Sequence, residues 1–438
     1  MSKRWLPLVG LLMFACADDG PMAPEPTGFT ITLQNVFTEY DFLKSGSFST
    51  PVGATAAGPL AAGDAYEISF SAGLGSKLSF ATMLVQSNDL FYAPAPAGID
   101  LFDASNNPVS GDITSQVMLW DAGSEVNEEP GAGANQPLMG GGATGTDEGG
   151  VVQLVSASGD GFTYPAVDAV LTVTLTSSGT DFTLRIENVS TTTTIPADDL
   201  SVLVTPGVWV VHSTEGPLFT EGMADRGEGL EMLAESGDGS ALSAVLTAAT
   251  GFTSPFAPGV WAVHDSDGPI FTAGSADYGD GLEGLAEDGD PSTLASTLAS
   301  AAGLTSSGSF SIPAGESMAG PLLPGASYEF TIEAVPGDML SFATMLVHSN
   351  DLFVAPGANG LMLFDGNSIA LTGDITSQLT LWDAGTEVNE EPGVGANQPA
   401  RGGAATGTME MGTVMAVADG FTYPALSDMI MVTITPIP

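Results

Sequence analysis

The chain holds a single cysteine, Cys16, in 438 residues. No disulfide can close within one chain, so packing and ions must hold the fold. Basic residues are almost as scarce: 7 Lys plus Arg stand against 52 Asp plus Glu, a formal charge of −45. A surface of that sign repels nucleic acid and anionic lipid, which argues against both as partners, and it attracts cations. Only 3 histidines occur, so a zinc centre lacks its usual ligands. There is no nucleophile elbow, phosphate loop or HExxH string. Past the N-terminus, no apolar run is long enough to span a bilayer as a helix.

The chain starts MSKRWLPLVGLLMFACADDG. Lys3 and Arg4 precede an apolar run from Trp5 to Ala15, too short for a membrane span and suited to a signal peptide over residues 1–15. With Ala15 before Cys16, the pattern resembles a bacterial lipoprotein signal, which implies lipidation of Cys16. Met13 and Phe14 are bulkier than that pattern usually has, and a plain secretory signal is the alternative. Either reading predicts export, as an outer-membrane or cell-surface lipoprotein or as a secreted protein. Membrane contact would run only through a lipid at Cys16. Residues 16–28, acidic and Pro-rich, read as a tether.

Internal repetition sets the organisation. LSFATMLVQSNDLF from Leu78 returns as LSFATMLVHSNDLF from Leu340, 262 positions on. WDAGSEVNEEPGAGANQP from Trp120 returns from Trp382 as WDAGTEVNEEPGVGANQP at the same spacing. FTITLQNV at Phe29 resembles FTLRIENV at Phe182. The linear reading is a first domain at 29–178 and a second at 181–438. The second carries an insert that is itself doubled: PGVWVVH at Pro206 and PGVWAVH at Pro258, 52 apart, in segments 200–251 and 252–303. On this reading the first domain is abridged.

FTITL, DFTLRI, VLTVTL and MIMVTI alternate or nearly so and read as half-buried strands, while KLSFATMLV and MLSFATMLV read as buried central ones. GLEMLAE and DPSTLASTLAS read as short helices of the second domain, Pro291 marking a helix entry. With 56 Gly and 29 Pro punctuating the strands, the predicted class is all-β, an antiparallel β-sandwich in two tandem copies.

The repeated loops concentrate hard oxygen donors. Asp121 and Glu125 flank an Ala-Gly pair, and Asp89 ends the other shared loop, SNDLF; Asp383, Glu387 and Asp351 are their second-copy counterparts. Gly123 and Gly385 permit a tight turn. Six to eight oxygens from carboxylates and carbonyls on loops suit Ca²⁺. The alternative is turn chemistry, Asp caps and Asx-turns alone. Glu128, Glu129, Glu390 and Glu391 read as a solvated rim, Trp120 and Trp382 as core anchors, and Asp112 and Asp374 as turn residues.

These strings together, LSFATM, SNDLF and LWDAG[ST]E, resemble the spondin domain, the N-terminal module of the secreted adhesion proteins F-spondin and mindin. The resemblance covers nearly all of the mature chain and implies a C2-like β-sandwich binding calcium through loops at one end. Carried over, the ligands fall on Asp89, Asp121 and Glu125 and on Asp351, Asp383 and Glu387. At Glu125 and Glu387 the family has Asp, one methylene shorter. The implied role is adhesion or matrix interaction, with an unidentified surface or matrix protein or glycan as partner. A metal-free envelope spacer and a calcium-dependent carbohydrate binder are the alternatives. His348 stands where the first copy has Gln86, and His212 and His264 each end a VWxVH string. None of the three has a catalytic setting, and the expectation is that the protein is not an enzyme.

Overall fold

Alternation decides which strand faces cover a core. In Thr27–Asn35, Phe29, Ile31 and Leu33 are fully buried and their neighbours only partly. In Asp181–Asn188, Phe182, Leu184 and Ile186 point inward between Thr183, Arg185 and Glu187. The computed structural model describes residues 25–141, 145–195, 201–402 and 407–438. The expected signal peptide, Cys16 and residues 16–24 of the expected tether lie outside the described residues, and the first strand begins at Thr27, just inside the tether's expected bound of 28.

The strands form four antiparallel sheets, a seven-stranded and a four-stranded one in each of two β-sandwiches. In the first sandwich, Phe42–Phe48, Val204–His212, Lys77–Leu84, Leu90–Pro94 and Val117–Asp121 run side by side in the large sheet. Ala65–Ser71, Asp181–Asn188 and Leu171–Ser178 make most of the small one. The second sandwich repeats this with Leu304–Phe310, Phe256–His264, Met339–Leu346, Leu352–Pro356 and Leu379–Asp383 opposite Ser327–Ala334, Thr27–Asn35 and Ile430–Pro436.

The large sheets are covered on both faces, which explains the continuous apolar run of LSFATML. Leu78 and Phe80 join the core between the sheets. Ala81 faces the other way, into a second core under the helices Leu230–Ser236 and Ser240–Ala248 with Leu233, Leu242 and Val208. Leu340, Phe342 and Ala343 divide in the same manner in the second sandwich, whose helices are Leu282–Asp288 and Ser292–Ser300. Gly207 lies in the strand between Phe42–Phe48 and Lys77–Leu84, on the face that looks into the core between the sheets. A Cβ there would sit 2.1 Å from the Ala81 carbonyl oxygen and 2.5 Å from the Phe48 ring. Gly207→Ala is therefore expected to destabilise the first sandwich by about 1–3 kcal/mol, read as a lower urea midpoint.

The pairing corrects the expected domain division. A cut between 178 and 181 would split a hairpin whose strands pair from Leu171↔Asn188 to Ser178↔Asp181. Thr27–Asn35 pairs instead with Ser327–Ala334 and Ile430–Pro436, so the N-terminal strand belongs to the second sandwich. Val204–His212 lies between Phe42–Phe48 and Lys77–Leu84, so the first copy is not abridged. Each sandwich owns one VWxVH strand and one helix pair, and the segments 200–251 and 252–303 are not a doubled insert in one domain. The first sandwich is a permuted copy inserted after the first strand of the second. The physical reason is degeneracy: FTITLQN and FTLRIEN have the same inward pattern and fit either small sheet, so the linear string does not say which one each joins.

The sandwiches touch through the long acidic loop of the second. Glu391 pairs with Lys44 and accepts a hydrogen bond from the Ser71 hydroxyl. Arg401 Nη1 donates to the Leu74 carbonyl at 2.7 Å, while its Nη2 donates to Gly393 O at 2.6 Å. Glu391 is thus an inter-sandwich contact and not part of a solvated rim; Glu129, its first-copy counterpart, is exposed.

Candidate functional site

Strand register brings the shared loops together. Leu90 pairs with Asp121, so Asp89 stands at the entry of one strand beside the end of its neighbour, and Leu352↔Asp383 does the same for Asp351. The Ala122 amide donates to the Asp89 carbonyl at 3.1 Å and the Ala384 amide to Asp351 at 3.1 Å, stapling the loops.

The side chains then organise the WDAG turn. Asp121 Oδ1 accepts the Gly123 amide at 2.7 Å, an Asx-turn, and its Oδ2 accepts Asn127 at 3.0 Å and Gln153 at 3.3 Å. Asp89 Oδ2 accepts the amides of Ser124 at 3.1 Å and Glu125 at 3.0 Å. Glu125 Oε1 accepts the Gly145 amide at 2.6 Å. The second copy reproduces this set: Gly385 to Asp383 at 2.7 Å, Thr386 and Glu387 to Asp351 at 2.8 and 3.1 Å, and Gly407 to Glu387 at 2.7 Å. Gly123 has φ +67°, and a Cβ would lie 2.5 Å from the Val151 amide nitrogen. Gly123→Ala is expected to cost about 1–3 kcal/mol from steric and left-handed strain together, and Gly385→Ala the same in the second sandwich. Thermal melts of the two variants check this.

Turn chemistry does not use all of the oxygens. Among the described residues, Asp89 Oδ1, Glu125 Oε2 and Asp351 Oδ1 are buried without a hydrogen-bond partner. Asp89 and Asp121 are 0% exposed and Glu125 4%. Burial, then the neighbouring Asp121 charge, pushes the Asp89 carboxyl up to about 8. Burial and then Asp383 push Asp351 up to about 6, with the Thr386 amide and hydroxyl pulling the other way. The difference between copies follows the chemistry: the Thr386 hydroxyl lies 3.1 Å from Asp351, whereas Ser124 is 3.5 Å from Asp89. Asn350 also reaches Glu387 Oε2 at 3.3 Å, while Asn88 turns to the Val126 carbonyl.

The structure adds two acids that sequence reasoning took only as helix residues. Glu235 and Glu287, at the last turn of Leu230–Ser236 and Leu282–Asp288, are each 6% exposed. Burial raises both carboxyls, Glu287 to about 7, against the Ser124 and Thr386 hydroxyls beside them; Glu125 and Glu387 add like charge. The available signal was the Glu four residues after another Glu, Glu231 with Glu235 and Glu283 with Glu287, repeated 52 positions apart. In the first sandwich a cavity of about 380 Å³ opens among Glu125, Asp147, Asp225, Glu231 and Glu235. A larger one, about 910 Å³, lies away from it beside Pro206 and Ser240, with Asp238 as its one ionisable group.

Other expected roles sort plainly. Glu128 is no rim residue: its carboxylate accepts the Asn135 amide at 2.9 Å and side chain at 2.7 Å, and Glu390 holds Asn397 likewise. Trp120 is a core anchor, 1% exposed, 4.8 Å from the Phe219 ring and donating to Ala93 O. Asp112 and Asp374 cap their turns through the Thr114 and Thr376 amides. His212 and His264 end strands as expected, each bonded through Nε2 to a buried serine, Ser79 or Ser341, at 2.9 Å.

The donor set is all hard oxygen, and no Lys or Arg ion pair among the described residues reaches Asp89, Asp121 or Glu125. Buried unpartnered carboxylate oxygens without a basic neighbour fit a divalent cation. In the geometry described, however, the acids are not drawn into one ligand shell. Among the described residues no group of three or more His, Cys, Asp or Glu side chains is placed to hold a metal ion. No family model matches the chain, and no curated protein is similar enough to it to stand as a relative.

Proposed function

We propose that the protein is a calcium-binding surface protein of the spondin type, exported and acting in adhesion or matrix interaction. Asp89, Asp121 and Glu125 would hold one Ca²⁺ and Asp351, Asp383 and Glu387 another. The observation that carries this reading is the pair of buried, unpartnered oxygens, Asp89 Oδ1 and Glu125 Oε2, with Asp351 Oδ1 in the second copy. A carboxylate kept dry with no donor on one oxygen is costly; a divalent ion would supply the missing partner. Backbone amides already hold one oxygen each of Asp89, Asp121 and Glu125, and calcium would draw the remaining oxygens into one shell. It would order the acidic loops and relieve the repulsion among them. The adhesive role follows from the family likeness alone.

The test is a thermal melt in millimolar calcium against chelator. At tenfold excess over its Kd, each ion adds about 1.4 kcal/mol, a rise of roughly 3–6 °C in the midpoint of the sandwich that binds it. Coincident melts would refute the metal. That outcome would favour the second reading, a metal-free envelope spacer, which the turn hydrogen bonds to Asp89 Oδ2, Asp121 Oδ1 and Glu125 Oε1 also support.

A further inference from the structure

The strand that closes the second sandwich reaches it from far off in sequence. Thr27–Asn35 lies between Ser327–Ala334 and Ile430–Pro436, partners close to three hundred and four hundred positions further along the chain. The first sandwich fills the equivalent place by a local route. There Leu171–Ser178 turns through Gly179 and Thr180 directly into Asp181–Asn188, so a hairpin secures that strand. Phe29, Ile31 and Leu33 fill their slot in the second core with no such turn to hold them.

The buried plug runs on to Phe37 and then stops. The Asn35 side-chain amide donates to the Ser254 and Leu322 carbonyls, both at 2.9 Å, and the Val36 amide donates to Met429 O at 2.9 Å. Phe37 is 5% exposed, its ring 5.6 Å from that of Phe252 and 6.0 Å from that of Phe256. Residues 38–41 are all exposed, and among the described residues they make no hydrogen bond. Tyr40 alone leans on a neighbour, its ring against Gly251. Bonding resumes at Phe42, whose amide donates to Ala249 O at 3.1 Å. The plug is therefore joined to the first sandwich by four exposed, unbonded residues. Such a strand can serve its own chain or another copy through identical contacts. Folding order favours the second outcome. Long-range pairing is slow, and the earlier part of a chain folds first during synthesis. While its own second sandwich is incomplete, the plug is open to the same slot in a neighbouring chain.

We propose that residues 27–37 of one chain complete the second sandwich of another copy, with residues 38–41 as the crossing, so that the protein forms strand-exchanged oligomers. The buried contacts are the same in either arrangement, and effective concentration sets the balance. A short linker presents the plug to its own chain at an effective concentration on the order of 1 mM, so exchange grows as the chain concentration approaches that value. The charge of −45 opposes the approach of two copies, but at about 0.15 M salt that repulsion decays over roughly 8 Å.

Strand register supplies a specific probe. The Asn35 amide donates to Ala326 O at 3.0 Å, which makes Thr30↔Thr331 a non-hydrogen-bonded pair with closely spaced side chains, within reach of a disulfide. Two full-length chains are prepared with Cys16→Ser, one carrying Thr30→Cys and the other Thr331→Cys. They are unfolded together, refolded under reducing conditions and then oxidised. A disulfide joining positions 30 and 331 can then form only between chains. Mass spectrometry is expected to find the linked peptide at least tenfold more abundant after refolding at about 300 µM than at about 10 µM. A single chain carrying both substitutions is expected to close the same bond internally at the lower concentration. No linked peptide between chains at the higher concentration, with the single chain closing normally, would overturn the exchange. Failure of the single chain to close would overturn the strand placement on which it rests.

Discussion

Deleting residues 27–35 is expected to unfold the second sandwich, more than two hundred residues away in sequence, and to leave the first one standing. Phe29, Ile31 and Leu33 are each fully buried in the core of the second sandwich. At about 1.5–3 kcal/mol each, their loss alone removes roughly 5–9 kcal/mol, comparable to the whole stability of an ordinary domain. The strand is also central, with partners on both sides, so its removal leaves two ladders unpaired. A milder version is Ile31→Ala, expected to cost about 2–5 kcal/mol. The location of the loss is diagnostic. Hydrogen exchange should show protection falling in Ser327–Ala334 and Ile430–Pro436 while Asp181–Asn188 stays protected. The opposite distribution would restore a plain tandem arrangement.

The second large effect concerns Asp89 and runs against the usual rule that polar core substitutions destabilise. In chelator at pH 8, Asp89→Asn is expected to raise the stability of the first sandwich by about 1–3 kcal/mol, because it removes a buried charge whose Oδ1 has no partner. The carbonyl oxygen of Asn still accepts the Ser124 and Glu125 amides. The sign also fixes a pH dependence. The folded carboxyl titrates at about 8 against an ordinary 3.8, so the stability it lends is complete below about pH 4 and is lost as pH rises to 8. Asp351, at about 6, completes its loss earlier. Asp89→Asn should flatten the upper part of that decline, and parallel pH–stability curves for parent and variant would refute the assignment. Calcium must displace these protons, so its stabilising effect is expected to strengthen from pH 5 to 8 and to disappear from the first sandwich in the variant.

Much of this architecture was legible because it is written twice. The all-β class followed from alternation in FTITL and DFTLRI, and the central strand followed from the unbroken run LSFATML, whose Phe80 and Ala81 do face different cores. That Asp89 belongs with the WDAG loop was implied by the spondin resemblance, and the register Leu90↔Asp121 brings the two loops side by side. What could not be read was ownership. Nothing in the side-chain pattern of Phe29–Leu33 tells it from Phe182–Ile186, and only the sheet each strand enters distinguishes them. Glu235 and Glu287 were hidden for a similar reason. A glutamate in the last turn of a short helix looks solvated until the helix is laid on the sheet and its carboxylate closes over Ser124 or Thr386. Glu391 and Arg401 escaped because their partners, Lys44 and the Leu74 carbonyl, lie more than three hundred residues away.

The claim at the centre of the functional account is that each sandwich captures one divalent ion on acids from two neighbouring loops. Equilibrium dialysis of the full chain with calcium at pH 8, alongside Asp89→Asn and Asp351→Asn, tests it most directly. Two saturable ions per chain are predicted for the parent, one for each single variant and none for the double. Binding that never saturates, or a stoichiometry that ignores both substitutions, would contradict it.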